Sequence, residues 1–257
     1  MTELRKASLG DRMKSYEAVT RSVLMPHSYH VIRVDGRAFH TYLRRANKPF
    51  DTAFIVDMEA VGVALCKEIM GAVFAYGQSD EISVLMQDLE PQSQPWFGGV
   101  VQKVVSIAAS LATVALVERR GFALLPQFDA RVFTLPSAAE VQNYFLWRQQ
   151  DAVRNSISMA AQAHFPHKTL LGLNKQELQE KLFRQRDINW NNYPVECKRG
   201  WVVSYGSSTP IDAVEGFEPL PVQHPYWRAY GAPTFHYCPA EGHDGCPDPF
   251  FPDIGVV

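Results

Sequence analysis

Two apolar, β-prone runs separated by a short polar turn are the clearest feature in the pattern of hydrophobic and polar positions. They lie within VFAYGQSDEISVLM, residues 73–86, where valine, isoleucine, phenylalanine and tyrosine flank the break. The break contains Gly77, Ser79 and Asp80, which are residue types that favour tight turns. The pattern therefore predicts a β-hairpin with carboxylates at its tip.

A second apolar strand is predicted upstream of this hairpin, at about residues 30–34, and it runs into Asp35 and Gly36. If the strand and the hairpin lie side by side in one sheet, Asp35 meets Asp80 and Glu81 at one strand end. Such carboxylates repel one another in a poorly solvated site unless a cation neutralises them, and hard oxygen ligands favour Mg²⁺. The alternative is that the carboxylates are solvated turn residues, because aspartate is favoured in turns on local grounds.

An aspartate at a strand end, a glycine with an accessible carbonyl and an aspartate at a hairpin tip are together typical of a palm-type polymerase site. In such a site two metal ions activate an attacking oxygen and stabilise a leaving pyrophosphate. Four basic residues, Arg37, Arg44, Arg45 and Lys48, are concentrated in the connection after the first strand. They could neutralise a bound triphosphate, and a solvated basic loop is the alternative.

Apolar residues at spacings of three and four predict five helices. They cover residues 11–24, residues from Asp51 or Thr52 to near Gly71, residues 97–120, a segment opened by Ser137, and a segment opened by Asn174. We expect the first helix to pack on the body through Tyr16, Val19 and Val23. With further strands in residues 124–136 and 201–204, the order predicts an α/β (α+β) fold with a palm-like, ferredoxin-type core sheet and helices.

Composition divides the chain at about residue 205. Nine of the seventeen prolines lie from that position onward, where hydrophobic periodicity is also weak. We therefore predict a palm-like catalytic domain with helical elements at residues 1–204 and a proline-rich extension at residues 205–257. The extension is expected to run as an arm across the body or onto another subunit.

Charge and hydropathy constrain the partners and the compartment. The formal net charge is -2, so no overall basic field indicates a nucleic-acid partner, although a local patch or an oligomeric surface could supply one. The amino-terminal residues lack the apolar region of a signal peptide, and no run approaches the roughly twenty apolar residues that span a bilayer. These features predict a cytoplasmic protein without a membrane partner.

The four cysteines form no close Cys-x-x-Cys pair, so a disulfide framework is not expected and a reducing compartment fits. His236, Cys238, His243 and Cys246 are nevertheless close enough in sequence to suggest a zinc site. Because the usual Cys-x-x-Cys spacing is absent, a plain loop is the preferred interpretation.

Several long motifs follow one another along the chain. VIRVDGRAFH (31–40) is followed by KPFD (48–51) and AYGQSDE (75–81), and then by FDARV (128–132), LPS (135–137), YFLWRQQD (144–151) and INWNNYP with KRG (188–200). In order and approximate spacing these motifs resemble the tRNA-His guanylyltransferase family and its relatives, the Thg1-like proteins. The resemblance covers most of residues 16–203.

This resemblance implies functions for individual residues. It implies that Asp35, the Gly36 carbonyl and Asp80 hold two Mg²⁺ ions and that Glu81 supports the catalytic site. The nucleotide-binding positions that it implies are Arg37, Ala38, Phe39, His40, Lys48, Asp51, Ser79 and Lys103. The RNA-binding positions that it implies are Arg131, Arg148, Asn155, Asn189, Asn191, Lys198 and Arg199.

The sequence also offers simpler interpretations for some of these residues. An ion pair along one strand, formed by Asp129 and Arg131, is preferred to a catalytic role for the two. Lys198 and Arg199 could contact RNA phosphates, whereas an ordinary polar turn before the last strand is the alternative.

Three departures from the family pattern distinguish this chain. Phe50 stands where the family usually has an asparagine, and FGGVVQK, residues 97–103, keeps only a lysine where an arginine and a lysine are common. Val153 stands at the histidine position of the His-Ile-Asn-Asn signature, while Asn155 is retained. The missing histidine is the mark of the Thg1-like branch, whose members resemble tRNA 5'-end repair polymerases.

The resemblance implies template-dependent, 3'-to-5' addition of nucleotides to the 5' end of truncated tRNA. ATP would activate the 5' end, GTP and other nucleoside triphosphates would be substrates, and the protein would be a homotetramer. The alternatives are a dedicated tRNA-His guanylyltransferase, a nucleotidyl cyclase on the same palm fold, and a non-catalytic RNA-binding protein. The presence of both Asp35 and Asp80 counts against the last, because asparagine would be tolerated there.

Overall fold

The computed structural model describes residues 8–207 and 225–238, and this part of the chain contains six strands and seven α-helices. The strands are β1 (Tyr29–Gly36), β2 (Ala72–Gln78), β3 (Glu81–Gln87), β4 (Phe128–Leu135), β5 (Trp201–Ser207) and β6 (Pro225–Gly231). The helices are α1 (Leu9–Ala18), α2 (Phe39–Tyr42), α3 (Thr52–Glu68), α4 (Val101–Arg120), α5 (Ala138–His164), α6 (Lys175–Arg186) and α7 (Val195–Arg199). Short 3₁₀ turns occupy Trp96–Gly99, His167–Thr169 and Trp190–Asn192.

All six strands belong to one antiparallel sheet with the spatial order β4-β1-β3-β2-β5-β6. The predicted hairpin is β2 and β3, and the predicted upstream strand is β1, which pairs with β3. The predicted mixed fold of a sheet with helices is therefore confirmed.

Helices cover both faces of the sheet. α3 and α4 pack on one face, where Ile32 and Val34 of β1 join the largest hydrophobic core. α5 packs on the other face, where Val31 of the same strand contacts a second core built around Phe74 and Phe145. Because both faces are covered, β1 is apolar at successive positions and does not alternate between apolar and polar residues.

The predicted helix starts of α3, α5 and α6 are confirmed by their capping hydrogen bonds. The carboxylate of Asp51 accepts from the Phe54 amide, and the hydroxyl of Ser137 accepts from the Glu140 amide. Asn174 forms a complete capping box with Glu177.

The first predicted helix is shorter than expected and does not pack on the body. α1 ends at Ala18 and has no buried residue, while Tyr16 and Val19 are 65% and 80% exposed. The chain cannot stay helical to residue 24, because Leu24 donates its amide to the Gly99 carbonyl and Val23 forms a bridge with Val100. The expectation of packing through this helix was therefore wrong for the described chain.

The long helix predicted at residues 97–120 begins four residues later. Phe97, Gly98 and Gly99 have positive φ angles, which interrupt the right-handed helical path before α4. By length and composition, α4 is long and apolar enough to cross a membrane. Its buried stripe, which includes Val104 and Leu116, belongs to the main core of the sheet and accounts for part of this hydrophobicity.

The described part of the proline-rich extension adds to the sheet and then crosses α5. β5 continues to Ser207, beyond the expected strand end at residue 204, and β6 pairs along its outer edge. After β6, the Phe235 amide donates to Gln149 and its ring joins the α5 core. An arm across the body is thus present at residues 232–238, while the proposed domain division stays a prediction.

The cysteines differ from expectation at one position. Cys66 and Cys197 are free and buried, whereas Cys238 is disulfide-bonded, so its thiolate is not available for the zinc site that was the less favoured alternative to a plain loop. His236 is described, and the other two members of that cluster, His243 and Cys246, lie outside the described residues.

Candidate active site

The predicted acidic residues meet at one end of the sheet. Asp35, near the end of β1, lies directly opposite Glu81, the first residue of β3. Between the two strands, the Gly36 amide donates to the Asp80 carbonyl at 3.1 Å. The sheet register therefore creates the juxtaposition that the sequence predicted only if the two segments were neighbours.

A tight turn fixes the position of Asp80. Gln78 and Glu81 pair at the ends of β2 and β3, so that Ser79 and Asp80 alone form the turn. Ser79 has a φ of 51°, and its hydroxyl donates to Oδ1 of Asp80 at 2.9 Å. This bond orients one carboxylate oxygen of Asp80 along the turn.

The two half-buried aspartates are only partly compensated, by the charges of Arg33, Arg131 and Arg148 around Asp35 and by hydrogen bonds to Asp80. Burial raises the pKa of Asp80, and the negative charge of Asp35 adds to the increase. Burial is also the largest cause of the raised pKa of Asp35. The second cause is repulsion from Asp129, its partner in register on β4. A bound cation would remove this penalty.

Glu81 differs because it has a cationic partner. Arg148 of α5 donates to both of its oxygens, from Nε at 2.7 Å and from Nη2 at 2.9 Å. The same guanidinium donates to Asp151 at 2.9 Å, and its side chain is 7% exposed. The guanidinium of Arg148 is therefore buried against two carboxylates and positions Glu81, and its contact with RNA stays a prediction.

The residues present fit Mg²⁺ held by a few carboxylate oxygens, and they do not form a complete cage of side chains around a metal ion in the described part of the chain. Within residues 8–207 and 225–238, no group of three or more histidine, cysteine, aspartate or glutamate side chains is arranged to hold a metal ion. Asp35 and Asp80 offer hard carboxylate oxygens, and Glu81 is engaged by Arg148. Mg²⁺ is commonly held by one or two carboxylates together with water and phosphate oxygens, which is what this end of the sheet provides.

A cavity of about 450 Å³ lies beside the acidic strand end. The loop from residue 46 to residue 51 forms one wall, including Lys48, and α5 forms another. The α5 residues that line the cavity follow helical spacing and include Arg148, Asp151, Asn155, Met159 and Gln162. The volume suits a ligand of nucleotide size.

The predicted nucleotide-binding residues divide into two groups. Lys48, Asp51 and Ser79 line the cavity. Burial alone would raise the pKa of Asp51, but hydrogen bonds from the amides of Phe54 and Asn47 outweigh it and lower that pKa. The carboxylate of Asp51 thus acts as a helix cap at the cavity wall.

The remaining predicted nucleotide-binding residues do not line this cavity; they are Arg37, Ala38, Phe39, His40 and Lys103. Phe39 is 3% exposed and packs on Tyr42, Phe54 and Phe128, so its side chain belongs to the core. Its ring also covers Gly36, where an added Cβ would lie 2.4 Å from it. Arg37 is exposed and donates to Gln127 at 3.0 Å.

The predicted RNA-binding residues have mainly local partners. Arg131 lies 3.5 Å from Asp129 in the exposed strand ion pair that the sequence analysis preferred. Asn189 accepts from the Asn191 amide at 3.0 Å, and the Lys198 ammonium donates to the Asn191 carbonyl. Arg199 donates to the Thr234 hydroxyl at 3.0 Å. These contacts match the polar-turn alternative, and contact with RNA stays a prediction.

Comparison with known proteins identifies the family. Residues 10–136 match the family model described as tRNAHis guanylyltransferase. Over 210 residues the chain is 30% identical to the tRNA(His) guanylyltransferase of Schizosaccharomyces pombe. The aligned region covers 74% of this chain and 78% of that protein. The chain belongs to the tRNA-His guanylyltransferase family.

Solved structures similar to this member of the tRNA-His guanylyltransferase family come from bacteria and yeast. A bacterial Thg1-like protein in complex with ATP has a TM-score of 0.74 and 44% identity, covering 77% of this chain and 88% of that chain. A bacterial Thg1-like protein in complex with GTP has a TM-score of 0.75 and 37% identity, covering 89% and 94%. The Saccharomyces cerevisiae enzyme has a TM-score of 0.64 and 26% identity, covering 74% and 91%.

Several residues that line the cavity of this guanylyltransferase-family chain were not predicted from its sequence. Asp151 lies between Arg148 and Arg154, and its carboxylate accepts a hydrogen bond from each of them. Its spacing from Arg148 and Asn155, three and four residues on one helix, was a usable signal. Gln78 and Trp201 also line the cavity, but only the pairing of β2 with β5 brings them there.

Proposed function

We propose that this protein adds nucleotides to the 5' end of truncated tRNA in the 3'-to-5' direction, with a template in the RNA selecting each base. The observation that carries the proposal is the pair Asp35 and Asp80, insufficiently compensated at the strand end and facing a cavity with Lys48 on its wall. Membership of a nucleotidyltransferase family and the ATP and GTP complexes of bacterial relatives support it.

In this proposal, Asp35, Asp80 and the Gly36 carbonyl would hold two Mg²⁺ ions. Bound there, the metal would supply a lower pKa for the attacking hydroxyl and charge compensation for the leaving group. ATP activates the 5' phosphate of the RNA, or the RNA already bears a triphosphate. The 3'-hydroxyl of an incoming nucleoside triphosphate, GTP included, then attacks that 5' phosphorus, and AMP or pyrophosphate leaves.

Protein groups around the two aspartates position the reactants. The ammonium of Lys48, at the cavity wall, neutralises part of the triphosphate charge. Arg148 holds Glu81 with two hydrogen bonds and so keeps the neighbouring Asp80 in place. Val153 stands where the family signature has a histidine, so this position supplies no imidazole. Its side chain packs with the core between α5 and α6.

The decisive experiment is extension of a 5'-truncated, 5'-end-labelled tRNA with Mg²⁺ and nucleoside triphosphates. One arm contains ATP and a monophosphorylated end, and the other a triphosphorylated end. Template-matched growth that disappears with Asp80→Ala is the expected result. No extension in either arm, while the same protein binds tRNA, would refute the proposal and favour an RNA-binding protein. A cyclic nucleotide formed without RNA would favour a cyclase.

A dedicated tRNA-His guanylyltransferase is the second candidate, because the S. pombe relative bears that name. An assay with two kinds of substrate distinguishes the repair polymerase from the dedicated guanylyltransferase. One substrate is intact tRNA-His, and the others are several different tRNAs that lack their first nucleotide. The proposed repair activity extends the truncated tRNAs according to their template bases. Addition of guanosine to tRNA-His alone would instead select the second candidate.

We also propose a cytoplasmic homotetramer without membrane contact. The exposed apolar residues of α1, which include Leu9, Met13 and Tyr16, support association between copies. Light scattering of the purified protein tests the assembly, and a monomer at micromolar concentration would contradict it. Fractionation of cells tests the compartment.

A further inference from the structure

One face of the edge strand β6 carries two tyrosines and an arginine. Tyr226, Arg228 and Tyr230 alternate with Trp227 and Ala229, which face the α3 and α4 layer. In a strand, such alternation places all three on the opposite face, the one that also bears α5. The tyrosines are 43% and 40% exposed, so their rings are open to a ligand.

Local contacts hold these side chains in place. The Ser204 hydroxyl donates to the Tyr230 hydroxyl at 3.2 Å. The Arg228 guanidinium lies over the Tyr230 ring, 5.4 Å from its centroid. Opposite Tyr226 stands Gly206, where an added Cβ would meet no atom of the described residues within 4 Å.

The surface formed by Tyr226, Arg228 and Tyr230, here called the β6 platform, starts next to the cavity. Tyr230 pairs with Val202, which follows the cavity residue Trp201 on β5. Neighbouring strands are about 4.8 Å apart, so Tyr230 lies roughly two strand spacings from Tyr76 of β2, which is three residues before the turn residue Ser79. The other end, at Tyr226, points away from the cavity along the sheet.

The chemistry of the β6 platform matches unpaired nucleotides. Tyrosine rings and guanidinium planes stack on bases of any identity, and cationic side chains attract the phosphates. Arg199 lies two residues before the cavity residue Trp201, and its buried Nε has no hydrogen-bond partner among the described residues. Among the described residues, neither Arg199 nor Arg228 forms an ion pair with a carboxylate, so both charges can act on an anionic ligand.

We propose that the β6 platform stacks unpaired bases of the RNA substrate next to the reaction cavity. The inference rests on the proposed function, because it takes the ligand to be the RNA whose 5' end enters the cavity. A second copy of the chain is a less suitable occupant, since an arginine between two tyrosine hydroxyls is polar for a contact between copies. The role is binding and not chemistry, so the reacting groups remain those of the cavity.

The test compares RNA affinities of matched variants by fluorescence anisotropy, with labelled oligouridine and labelled truncated tRNA as probes. Tyr226→Ala/Tyr230→Ala removes both rings, whereas Tyr226→Phe/Tyr230→Phe keeps them and removes only the hydroxyls. Tyr205→Ala is the control, because Tyr205 is 44% exposed on the same sheet but makes an edge contact with Trp227 on the other face. ATP binding is measured for every variant.

The double alanine variant should bind both RNAs at least about tenfold more weakly, and the double phenylalanine variant and Tyr205→Ala within about threefold of the parent. ATP binding should stay unchanged. If the parent binds and extends RNA but the double alanine variant binds equally well, the platform is refuted and the proposed function stands.

Three further results would also overturn the inference. If the parent neither binds nor extends RNA, the proposed function falls with it. If the double alanine variant changes the mass of the assembly and leaves RNA affinity intact, the β6 platform is a contact between copies. Equal losses in the double alanine variant and in Tyr205→Ala would show that the effect is not specific to this face.

Discussion

Strands β1 and β3 have an acidic group near each end, buried at Asp88 and half-buried at Asp35 and Asp80, and the two ends differ in what faces the carboxylates. At one end Asp88 lies 3.6 Å from His30, both side chains are buried, and the Ser28 amide donates to Asp88 at 3.0 Å. At the other end, no described lysine, arginine or histidine forms an ion pair with Asp35 or Asp80. The sheet thus partners the carboxylate that supports structure and leaves the pair that faces the cavity available to a cation.

The two ends also respond to pH in opposite directions. Burial raises the pKa of Asp35 and Asp80, so the stability linked to their neutral forms is present at acid pH and lost as pH rises through the raised values. Burial lowers the pKa of His30, although Asp88 opposes the shift. The fold favours neutral His30, so that stability is present above about pH 6.5 and lost as pH falls.

The largest expected effect comes from exchanging one carboxylate at each end. Asp80→Asn should slow nucleotide addition by about 10³-fold, because loss of metal-based stabilisation costs several kcal/mol, while thermal stability is kept or increased. Asp88→Asn should destabilise the protein and leave the single-turnover rate within about threefold. Rate and melting temperature are measured for both variants. A comparable rate loss in Asp88→Asn would remove the distinction between the ends.

The second effect concerns the partner of Glu81. Arg148→Met leaves this carboxylate buried and unpaired, which should lower the free energy of unfolding by about 3–5 kcal/mol. Arg131→Met, in the exposed pair with Asp129, should cost less than about 1 kcal/mol. Urea unfolding measures both.

The double variant Arg148→Met/Glu81→Met should recover much of that stability, since no unpaired charge remains. If Arg148→Met costs no more than the exposed control, Glu81 is solvated rather than held by α5. The positioning role assigned to Arg148 would then be lost.

A smaller effect is expected from Mg²⁺ itself. At a concentration about one hundredfold above its dissociation constant, Mg²⁺ should stabilise the parent by about 2.7 kcal/mol. The melting temperature in the presence and absence of Mg²⁺ measures the shift, which should be absent in Asp80→Asn and present in Asp88→Asn. An equal shift in all three proteins would place the ion elsewhere.

The smallest expected effect is at His30. Between pH 7 and pH 5.5 the free energy of unfolding should fall by about 1 kcal/mol more in the parent than in His30→Gln. Uptake of one proton can change this free energy by at most about 1.4 kcal/mol per pH unit. Urea unfolding across this range measures the difference. Identical pH profiles would show that His30 titrates alike in the folded and unfolded chain.

Local patterns predicted the parts of the fold that depend on neighbouring residues. The β2–β3 hairpin and the caps at Asp51, Ser137 and Asn174 follow from turn and capping chemistry within a few residues. Strand β6 was missed because proline content dominated the interpretation of its region. Its alternation of Tyr226 and Tyr230 with buried positions was a period-two signal.

The candidate site was predictable only as far as strand register allowed. Asp35 and Asp80 could be placed together because one lies near the end of a recognisable strand and the other lies in a recognisable hairpin turn. The pairing of Arg148 with Glu81 spans 67 positions and leaves no local trace in the sequence. Burial of Phe39 was missed for a similar reason, because its motif suggests a ligand contact whereas Phe54 and Phe128 supply its surroundings.

Helix α5 has 27 residues and is therefore about 40 Å long. Its first half carries Tyr144 and Phe145 into the sheet core, and its second half carries Ile157 into a separate core with Leu182 of α6. One unbroken rod thus joins the two cores. Arg148 lies on the same rod and holds Glu81 with two hydrogen bonds, so the packing surface for α6 and the position of Glu81 depend on a single helix.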